Sequence, residues 1–303
     1  MTDEQTEQTK KFTEKFGKFH DKYYKHLLLI PIAMLLFSFG YLYVFHSIND
    51  DFIHKDISLT GGTSATIYGD FDSAKIAVDL FGKLQDLNTR EIYDIITRER
   101  IAIVLETKNS GDETKKILEN YLGYELDGKN SSFEFSGALL SESFYQQLLI
   151  AISFAFLFMG IVVFLIFRKI VPAVAVIISA FADILMTLVV VDLLGMRMSS
   201  AGIVAFLMLI GYSVDTDILL TSRVLKSSEG TVDSRIYKAF KTGMTMTLTS
   251  IVAVFIALIV SNSFSPRLSQ IFMILFIGLF FDIFNTWITN TSLIKWYARK
   301  NEH

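Results

Sequence analysis

Residues Leu209–Arg223 read LIGYSVDTDILLTSR, an apolar segment that contains two acidic side chains, Asp215 and Asp217. The segment belongs to a longer apolar run from Ser199 to Ser222. An α-helix rises about 1.5 Å per residue, so about 20 apolar residues are enough to cross the hydrocarbon core of a bilayer. The run therefore predicts a transmembrane helix that carries carboxyl groups inside the membrane.

Five further runs have a similar length, in a chain of 303 residues that is 51% hydrophobic and has a mean hydropathy of +0.43. They span Leu27–Phe45, Ser143–Phe167, Ile170–Val191, Gly243–Val260 and Gln270–Ile294. Long apolar runs separated by polar segments are typical of membrane proteins and not of one large soluble core. We therefore predict a polytopic α-helical membrane protein with six transmembrane helices.

Basic residues indicate how these helices are oriented. If the chain crosses six times, Lys and Arg concentrate before helix one, between helices two and three, between helices four and five, and after helix six. The short turns on the opposite side contain one basic residue each, Arg197 and Arg267. The positive-inside rule therefore places both termini in the cytoplasm. The predicted domains are a cytoplasmic segment at 1–26, helix one at 27–46, an external domain at 47–142, helices two to six at 143–294, and a cytoplasmic tail at 295–303.

The external segment has the element order of a ferredoxin-like α+β domain, βαββαβ. Its predicted elements are a strand at Ile57–Tyr68 broken by Gly61 and Gly62, a helix from Asp72 to about Leu87, strands at Glu91–Thr97 and Ile101–Glu106, a helix at Asp112–Leu122, and a strand at Ser131–Phe135. Asp72 is a typical N-cap residue. The Gly pair and Thr63 lack the Lys-Ser/Thr ending of a phosphate loop, which favours a bulge or a close backbone approach.

The composition excludes several functional classes. The absence of cysteine excludes disulfides, thiolate zinc sites, iron–sulfur clusters and a cysteine nucleophile. The five His lack metal-ligand spacing, and no strong basic excess indicates binding to nucleic acid. The polar start does not have the pattern of a cleavable signal peptide. Its Phe12, Phe16, Phe19 and Tyr23 fit either a helix on the membrane surface or a polar tail. We expect no enzymatic activity, no cofactor and no metal.

Four carboxyl groups are predicted inside the membrane, those of Asp183, Asp215, Asp217 and Asp282. A carboxylate at the bilayer centre costs about 2.5–3.5 kcal/mol on insertion scales, so such residues usually serve a function. All four are therefore candidates for ion coupling, and the alternative is that they only hold helices together through hydrogen bonds. Asp215 and Asp217 are two positions apart and should face different environments. Lys241, just before helix five, is the nearest candidate partner.

These segments resemble motifs of the SecD/SecF family of protein-export membrane proteins, in the order of the predicted helices. The run from Gly211, Tyr212 and Ser213 to Arg223 is similar to the signature of helix four in that family. The similar elements elsewhere are residues 57–63 (ISLTGGT) after helix one, residues 182–187 (ADILMT) in helix three, and residues 248–250 (LTS, with Thr249) in helix five. The single small external domain resembles the SecF branch of the family, in its archaeal form.

The resemblance implies pairing with SecD in a twelve-helix unit of the resistance–nodulation–division superfamily, within the lipid of the cytoplasmic membrane. It also implies that this unit assists the Sec translocon in exporting unfolded secretory polypeptides, using the proton motive force or another ion gradient. Asp215 matches the helix-four acid of the family, and Asp183 matches the helix-three acid. Two positions depart from the bacterial SecF pattern, because Thr216 replaces its acid and Thr242 replaces its helix-five Arg.

Two alternatives to this function remain. A passive scaffold would stabilise the translocon or SecD without moving an ion, and the missing helix-five Arg favours it. One half of a small-molecule exporter from the same superfamily is disfavoured, because such exporters usually carry two six-helix halves and larger external domains. The intramembrane acids favour ion coupling.

Overall fold

Helices and one small sheet make up most of the computed structural model, which describes residues 27–94, 97–227, 230–262 and 265–301, without the side chains of 138–140 and 301. The predicted cytoplasmic segment 1–26 lies outside these residues. The helices are α1 (Leu27–Asn49), α2 (Ile57–Thr60), α3 (Ser73–Asp79), α4 (Gly111–Leu122), α5 (Ala138–Phe167), α6 (Ile170–Leu193), α7 (Ser200–Lys226), α8 (Val232–Ser261), α9 (Pro266–Phe284) and α10 (Thr291–Asn301). The strands are β1 (Gly62–Tyr68), β2 (Asn88–Tyr93), β3 (Arg100–Thr107) and β4 (Ser131–Ser136), and a π-helical segment, Asn285–Asn290, joins α9 to α10.

Six helices of the described chain are long and apolar enough to cross a membrane, which confirms the predicted architecture. They are α1, α5, α6, α7, α8 and the continuous helix formed by α9, the π-helical segment and α10. Each of these helices contains an apolar stretch of 18 residues. The buried share of this stretch is 61% in α6, 56% in α7 and 50% in the last helix, against 11–17% in the other three helices. The bundle is therefore built around α6, α7 and α9, which we call the core helices.

The segment between α1 and α5 contains the predicted ferredoxin-like domain. Its strands pair in the order β2-β3-β1-β4, and all neighbours are antiparallel. One face of the sheet packs Ile67 and Leu105 against Ile76 of α3 and Leu118 of α4, all of them buried. This face forms the core of the domain, and the opposite face remains free of helices α3 and α4.

The segment before β1 is helical, so the prediction of one strand over Ile57–Tyr68 is wrong in its first part. Asp56 caps α2, because its Oδ1 accepts hydrogen bonds from the backbone N–H and the hydroxyl of Ser58. Gly61 then ends the helix with a φ of +83°, a conformation that favours glycine. Thr and Ile in the segment favour a strand, but the cap and the glycine determine the local structure.

Gly62 approaches the neighbouring strand so closely that no side chain fits. Its φ is +140°, and a Cβ at this position would lie 2.3 Å from the carbonyl oxygen of Thr107 in β3. The Gly pair therefore serves the turn from α2 into β1 and the close packing of β1 on β3.

The helix after β1 is shorter than predicted. It begins after the N-cap Asp72, as predicted, but it ends at Asp79 and not near Leu87. Gly82, with a φ of +80°, turns the chain back toward the sheet. The next strand is displaced as a consequence and covers Asn88–Tyr93 where Glu91–Thr97 was predicted.

Two transmembrane helices extend beyond their apolar runs. The helix α8 begins at Val232 where Gly243 was predicted, and α10 continues to Asn301, through most of the predicted tail at 295–303. The two extensions contact each other, since Nζ of Lys295 lies 2.7 Å from Oδ1 of Asp233. Hydropathy identifies only the apolar part of these helices, because their ends are polar.

The ferredoxin-like domain, predicted to be external, is attached to the loop between α6 and α7. The backbone N–H of Met198 donates to the carbonyl oxygen of His54 at 2.5 Å, and that of Asp56 donates to the carbonyl oxygen of Met198 at 3.0 Å. Arg197 donates from Nη2 to Oδ1 of Asp86 at 2.9 Å. These bonds fix the position of the domain relative to the core helices.

We expect Gly62→Ala to destabilise the external domain. The positive φ alone costs about 1–3 kcal/mol for a residue with a side chain, and the contact with Thr107 adds to this. Thermal unfolding and limited proteolysis of the chain purified in detergent measure the effect. Gly128→Ala is the matched control, because its Cβ meets nothing within 4 Å. Equal unfolding temperatures for the two variants would contradict this account of Gly62.

A second prediction concerns pH. Burial raises the pKa of Asp56 to about 6, from 3.8 for an exposed carboxyl group. The folded state therefore holds this proton more tightly than the unfolded state. The resulting stabilisation is complete below about pH 4 and is lost as the pH rises through about 6, by about 3 kcal/mol at most.

Asp56→Asn keeps the cap without the charge, so its melting temperature should exceed that of the wild type by more above about pH 7 than below about pH 4. Asp72→Asn is the control, since Asp72 caps α3 in the same way but is exposed. The same pH dependence in both variants would show that the burial of Asp56 is not the cause.

Candidate functional site

Three of the four predicted intramembrane acids meet inside the bundle. Asp183 of α6, Asp217 of α7 and Asp282 of α9 are each at most 1% exposed. Hydroxyl and amide side chains of the core helices and of the π-helical segment surround them. We call these three carboxyl groups the acid cluster.

Asp183 has a hydrogen-bond donor on each carboxyl oxygen. Nδ2 of Asn285 donates to its Oδ1 at 2.7 Å, and Oγ of Ser213 donates to its Oδ2 at 2.5 Å. The amide of Asn285 carries hydrogen atoms in every protonation state, so it always supplies a donor to this carboxyl group.

Asp217 receives its donors on one oxygen only. Its Oδ1 accepts from Nδ2 of Asn290 at 2.6 Å, from Oγ1 of Thr286 at 2.9 Å and from Oγ of Ser179 at 3.4 Å. Its Oδ2 is buried and has no hydrogen-bond partner. An unpaired carboxyl oxygen in an apolar interior is costly, so Oδ2 is the oxygen of Asp217 that is open to a further donor.

Asp282 contacts hydroxyl groups and no amide. Oγ1 of Thr216 lies 3.3 Å from its Oδ1 and 3.1 Å from its Oδ2, and Oγ1 of Thr286 lies 3.1 Å from its Oδ1. Thr286 therefore lies between Asp282 and Asp217 and contacts both of them. One hydroxyl group connects two acids of the cluster.

The π-helical segment supplies three of the six side chains that hydrogen-bond to the acid cluster. A π-helix has a wider turn than an α-helix and often marks a functional site. Here it places Asn285, Thr286 and Asn290 toward the acid cluster, and Oγ1 of Thr291 donates to the carbonyl oxygen of Thr286 at 2.9 Å. Sequence reasoning missed these residues. The available signal was a group of Asn and Thr residues within an apolar span, directly after Asp282.

Asp215 does not join the acid cluster. Its side chain is exposed on the outer side of α7, as are Gly211 and Tyr212, whereas Ser213 and Asp217 point inward. The spacing of two residues places the two acids of α7 in different environments, as expected. Among the described residues, Asp215 has no side-chain hydrogen bond or ion pair.

The predicted partners in helix five lie away from the acid cluster. Lys241 is exposed, and within the described part of the chain it forms no ion pair with any of the four acids. The hydroxyl of Thr249 donates to the carbonyl oxygen of Thr245 at 2.9 Å, and that of Thr245 donates to the carbonyl oxygen of Lys241 at 2.8 Å. The hydroxyls on this side of α8 therefore satisfy their own helix and do not surround the acids.

The remaining motif residues have local structural contacts. Nη1 of Arg223 donates to the carbonyl oxygen of Lys238 at 3.3 Å, which connects α7 to α8. Oγ1 of Thr63 donates to the carbonyl oxygen of Asn109 at 2.7 Å inside the external domain. In the ranges that the structure describes, no three His, Asp or Glu side chains are arranged to bind a metal ion.

A cavity of 730 Å³ lies between the free face of the sheet and the N-terminal ends of α7 and α9. Its charged lining residues include Asp56, Arg90, Glu106, Arg197 and Arg267. Several of these charges are already paired, as Arg90 is with Glu106 at 3.2 Å. The cavity therefore has no net charge pattern that identifies a ligand.

Comparisons with known proteins agree with this architecture. A family model described as protein export membrane protein SecD/SecF, C-terminal, matches residues 115–300. The protein-export membrane protein SecF of Methanocaldococcus jannaschii is 42% identical over 282 residues, which cover 91% of this chain and 96% of that protein. SecF of Methanothermobacter thermautotrophicus is 36% identical over 91% of this chain and 93% of its own length.

Two solved structures share the fold. The translocon-associated membrane protein SecDF from Thermus thermophilus matches with a TM-score of 0.71 and 17% identity, over 92% of this chain and 38% of that one. SecDF in its super-membrane-facing form matches with a TM-score of 0.55 and 16% identity, over 92% and 39%. This chain thus spans about two fifths of the SecDF chain.

The different surroundings of the two acids in α7 predict that replacing Asp217 lowers stability and that replacing Asp215 does not. Asp217→Leu leaves the buried amide donor of Asn290 unpaired, and such a group costs about 1–3 kcal/mol. We expect this variant to unfold at a clearly lower temperature in detergent, or to accumulate poorly. Asp215→Leu is the matched control, because it replaces an exposed acid on the same helix, and we expect it to melt as the wild type does. A lower melting temperature for Asp215→Leu than for Asp217→Leu would contradict the assignment of faces.

Proposed function

The chain belongs to the SecF proteins of the SecD/SecF family of protein-export membrane proteins, and we propose that it pairs with a SecD subunit to assist export at the Sec translocon. In this proposal the ion gradient across the membrane drives the unit through carboxyl groups inside the helices. Asp215 is the first candidate for this coupling, with Asp183 and the rest of the acid cluster behind it.

One observation carries the proposal, the position of Asp215 on the outer side of α7. A carboxylate that faces lipid at membrane depth costs about 2.5–3.5 kcal/mol, so this surface requires a polar neighbour or a water-filled path. The match to two fifths of the SecDF chain supports a second helical unit as that neighbour, supplied here by a separate SecD chain. Ionisation of Asp215 at this interface would then respond to the arrangement of the two units.

The distribution of basic residues supports one orientation of this chain in the membrane. The excess of Lys and Arg in the segments before helix one and after helix six favours cytoplasmic termini in the cytoplasmic membrane. The external domain then lies on the side where exported polypeptides emerge. Apolar side chains on the outer surfaces of α1 and α5 contact lipid in this arrangement.

The proposed activity involves no covalent substrate chemistry. One elementary charge that moves through 100 mV releases about 2.3 kcal/mol, which is enough to bias a conformational change between two states of similar energy. Such a unit uses the gradient to move helices and needs neither a nucleotide nor a catalytic nucleophile.

A passive scaffold is the second candidate. Thr242, which stands where bacterial SecF has the helix-five Arg, favours the scaffold. Its hydroxyl donates to the carbonyl oxygen of Lys238 at 3.2 Å, and it supplies no positive charge. A scaffold would require the contact with SecD but not the ionisation of Asp215. One half of a small-molecule exporter is the weakest candidate, because this chain matches SecF relatives over nearly their whole length.

Secretion in cells that carry Asp215→Asn tests the proposal. Asn has the shape of Asp but does not ionise, so we expect precursor proteins to accumulate to the level of the deletion while the variant remains abundant and still co-purifies with SecD. Asp112→Asn, an exposed acid of α4, is the matched control and should export normally. Normal export by Asp215→Asn, together with failure of the deletion, would refute coupling at this residue and leave the scaffold.

A further inference from the structure

The third acid of the cluster differs from the other two in its hydrogen-bond donors. Asp183 and Asp217 each accept from a side-chain amide, that of Asn285 or of Asn290. An amide N–H only donates, so one oxygen of each of these two carboxyl groups is held as an acceptor. Asp282 has no amide partner, and its contacts are hydroxyl groups that are able to accept as well as donate.

The hydroxyl of Thr286 has one hydrogen atom and two acidic neighbours. Its Oγ1 lies 2.9 Å from Oδ1 of Asp217 and 3.1 Å from Oδ1 of Asp282, and all three residues are buried. If both acids were ionised, one of these contacts would join two oxygens with no hydrogen between them. Both contacts are satisfied when Asp282 carries a proton and donates it to Thr286, which donates in turn to Asp217.

The hydroxyl of Thr216 also favours a proton on Asp282, on its other carboxyl oxygen. Its Oγ1 lies 3.2 Å from the carbonyl oxygen of Tyr212 and 3.1 Å from that of Ser213, and both are acceptors of its own helix. Its single hydrogen is satisfied there, as is common for Thr within a helix. The contact of 3.1 Å with Oδ2 of Asp282 is then a hydrogen bond when the proton lies on Oδ2, whereas the contact with Thr286 requires the proton on Oδ1. One proton on Asp282 therefore serves one of the two hydroxyls at a time.

Unpaired acceptors near the cluster are an independent indication of a bound positive charge. Oδ2 of Asp217 and the amide oxygens of Asn285 and Asn290 are buried and have no hydrogen-bond partner among the described residues. No Lys or Arg of the described chain forms an ion pair with the acid cluster. Three ionised carboxyl groups without a cation are not stable in an apolar interior, so at least one proton is required.

The charged groups on the elements packed around Asp282 are Asp183 and Asp192 on α6, Asp215, Asp217, Arg223 and Lys226 on α7, Asp233, Arg235, Lys238 and Lys241 on α8, Arg267 on α9, and Lys295, Arg299 and Lys300 on α10. Asp192 accepts from the hydroxyl of Tyr41 at 2.8 Å, and Arg235 donates to the carbonyl oxygen of Val224 at 2.8 Å. Lys295 and Arg299 lie 2.7 Å and 3.2 Å from Asp233, and Arg223 donates to the backbone of α8. Lys238 and Lys241 are exposed. The carboxyl groups that face Asp282 are therefore those of the acid cluster itself.

We propose that Asp282 is a proton-binding site inside the six-helix unit, and that Thr286 relays its proton to Asp217. In the transfer, the O–H bond of Asp282 breaks as its proton moves to Oγ1 of Thr286. The hydroxyl proton of Thr286 moves at the same time to Oδ1 of Asp217. One proton moves from Asp282 to Asp217, and one negative charge moves in the opposite direction.

The proposal deepens the coupling function proposed above and rests on it only for its biological purpose. The relay lies within one chain and on the inner side of α7, whereas Asp215 lies on the outer side. Its test measures protonation and requires no export, so its failure is distinguishable from normal export by Asp215→Asn.

The first experiment labels the wild-type chain in lipid nanodiscs with dicyclohexylcarbodiimide, which reacts with protonated carboxyl groups in apolar surroundings. Mass spectrometry then locates the label. We expect about tenfold or more label on Asp282 relative to Asp183, and a decrease of about tenfold per pH unit on the alkaline side. Preferential labelling of Asp183 would overturn the proposal. Protection by sodium at constant pH and ionic strength would also overturn it, because it would identify a sodium site.

The relay itself is tested with variants of its hydroxyl group. Thr286→Val should shift the pH dependence of Asp282 labelling by about one pH unit or more, and Thr286→Ser should restore the wild-type profile. Thr221→Val is the matched control, because Thr221 is a fully buried threonine of α7 whose hydroxyl has no partner. A wild-type profile for Thr286→Val would overturn the relay. If Thr286→Val does not fold, the labelling of the wild type and of Thr286→Ser still decides whether Asp282 holds the proton.

Discussion

Three carboxyl groups held away from water constrain the rest of the helical bundle. A buried carboxyl group is stable only when donors or protons reach its oxygens, and the donors here are short side chains. They come from different helices, such as Ser179 of α6, Ser213 of α7 and Asn290 of the π-helical segment. These short side chains reach the acids only if the core helices lie close together. The spacing and rotation of α6, α7 and α9 are therefore set by polar contacts as much as by apolar packing.

Glycine contacts show how the helices approach each other around this cluster. A Cβ on Gly278 of α9 would lie 2.3 Å from the side chain of Leu209 in α7, and one on Gly243 of α8 would lie 2.5 Å from Trp287. Small residues let helix backbones approach closely in membranes. Gly278 lies one turn before Asp282, and Trp287 belongs to the π-helical segment. Close packing and the wider π-turn thus occur at the same depth as the acids, which brings Thr286 into contact with two of them.

Much of this architecture was predictable from the sequence, because long apolar runs and the strand order of a small domain are strong signals. The six spans and the ferredoxin-like order follow from hydropathy and periodicity, whereas helix ends such as Val232 do not, because polar extensions carry no membrane signal. The helix α2 was missed because a cap at Asp56 and a glycine outweigh strand propensity over four residues. The separation of Asp215 from Asp217 follows from helical spacing. The role of Asn285–Asn290 could not be predicted from the sequence, because local sequence does not identify a π-turn that tertiary packing stabilises.

The acids of α7 connect the interior of the bundle with its outer surface. Asp215 and Asp217 belong to one helix, with Thr216 between them in contact with Asp282. Because a helix moves largely as a rigid element, a shift of α7 that changes the surroundings of Asp215 also changes the distances from Thr216 and Asp217 to Asp282 and Thr286. In the proposed relay, a proton on Asp282 supplies the hydrogen that Thr286 or Thr216 lacks, so such a shift would change the contacts that hold this proton. A purely structural role explains the cluster less well, since well-packed apolar residues of similar volume often stabilise a protein as much as buried acids do. In the proposed coupling the network would respond to protons, and its position next to the outer face of α7 would carry that response to a partner.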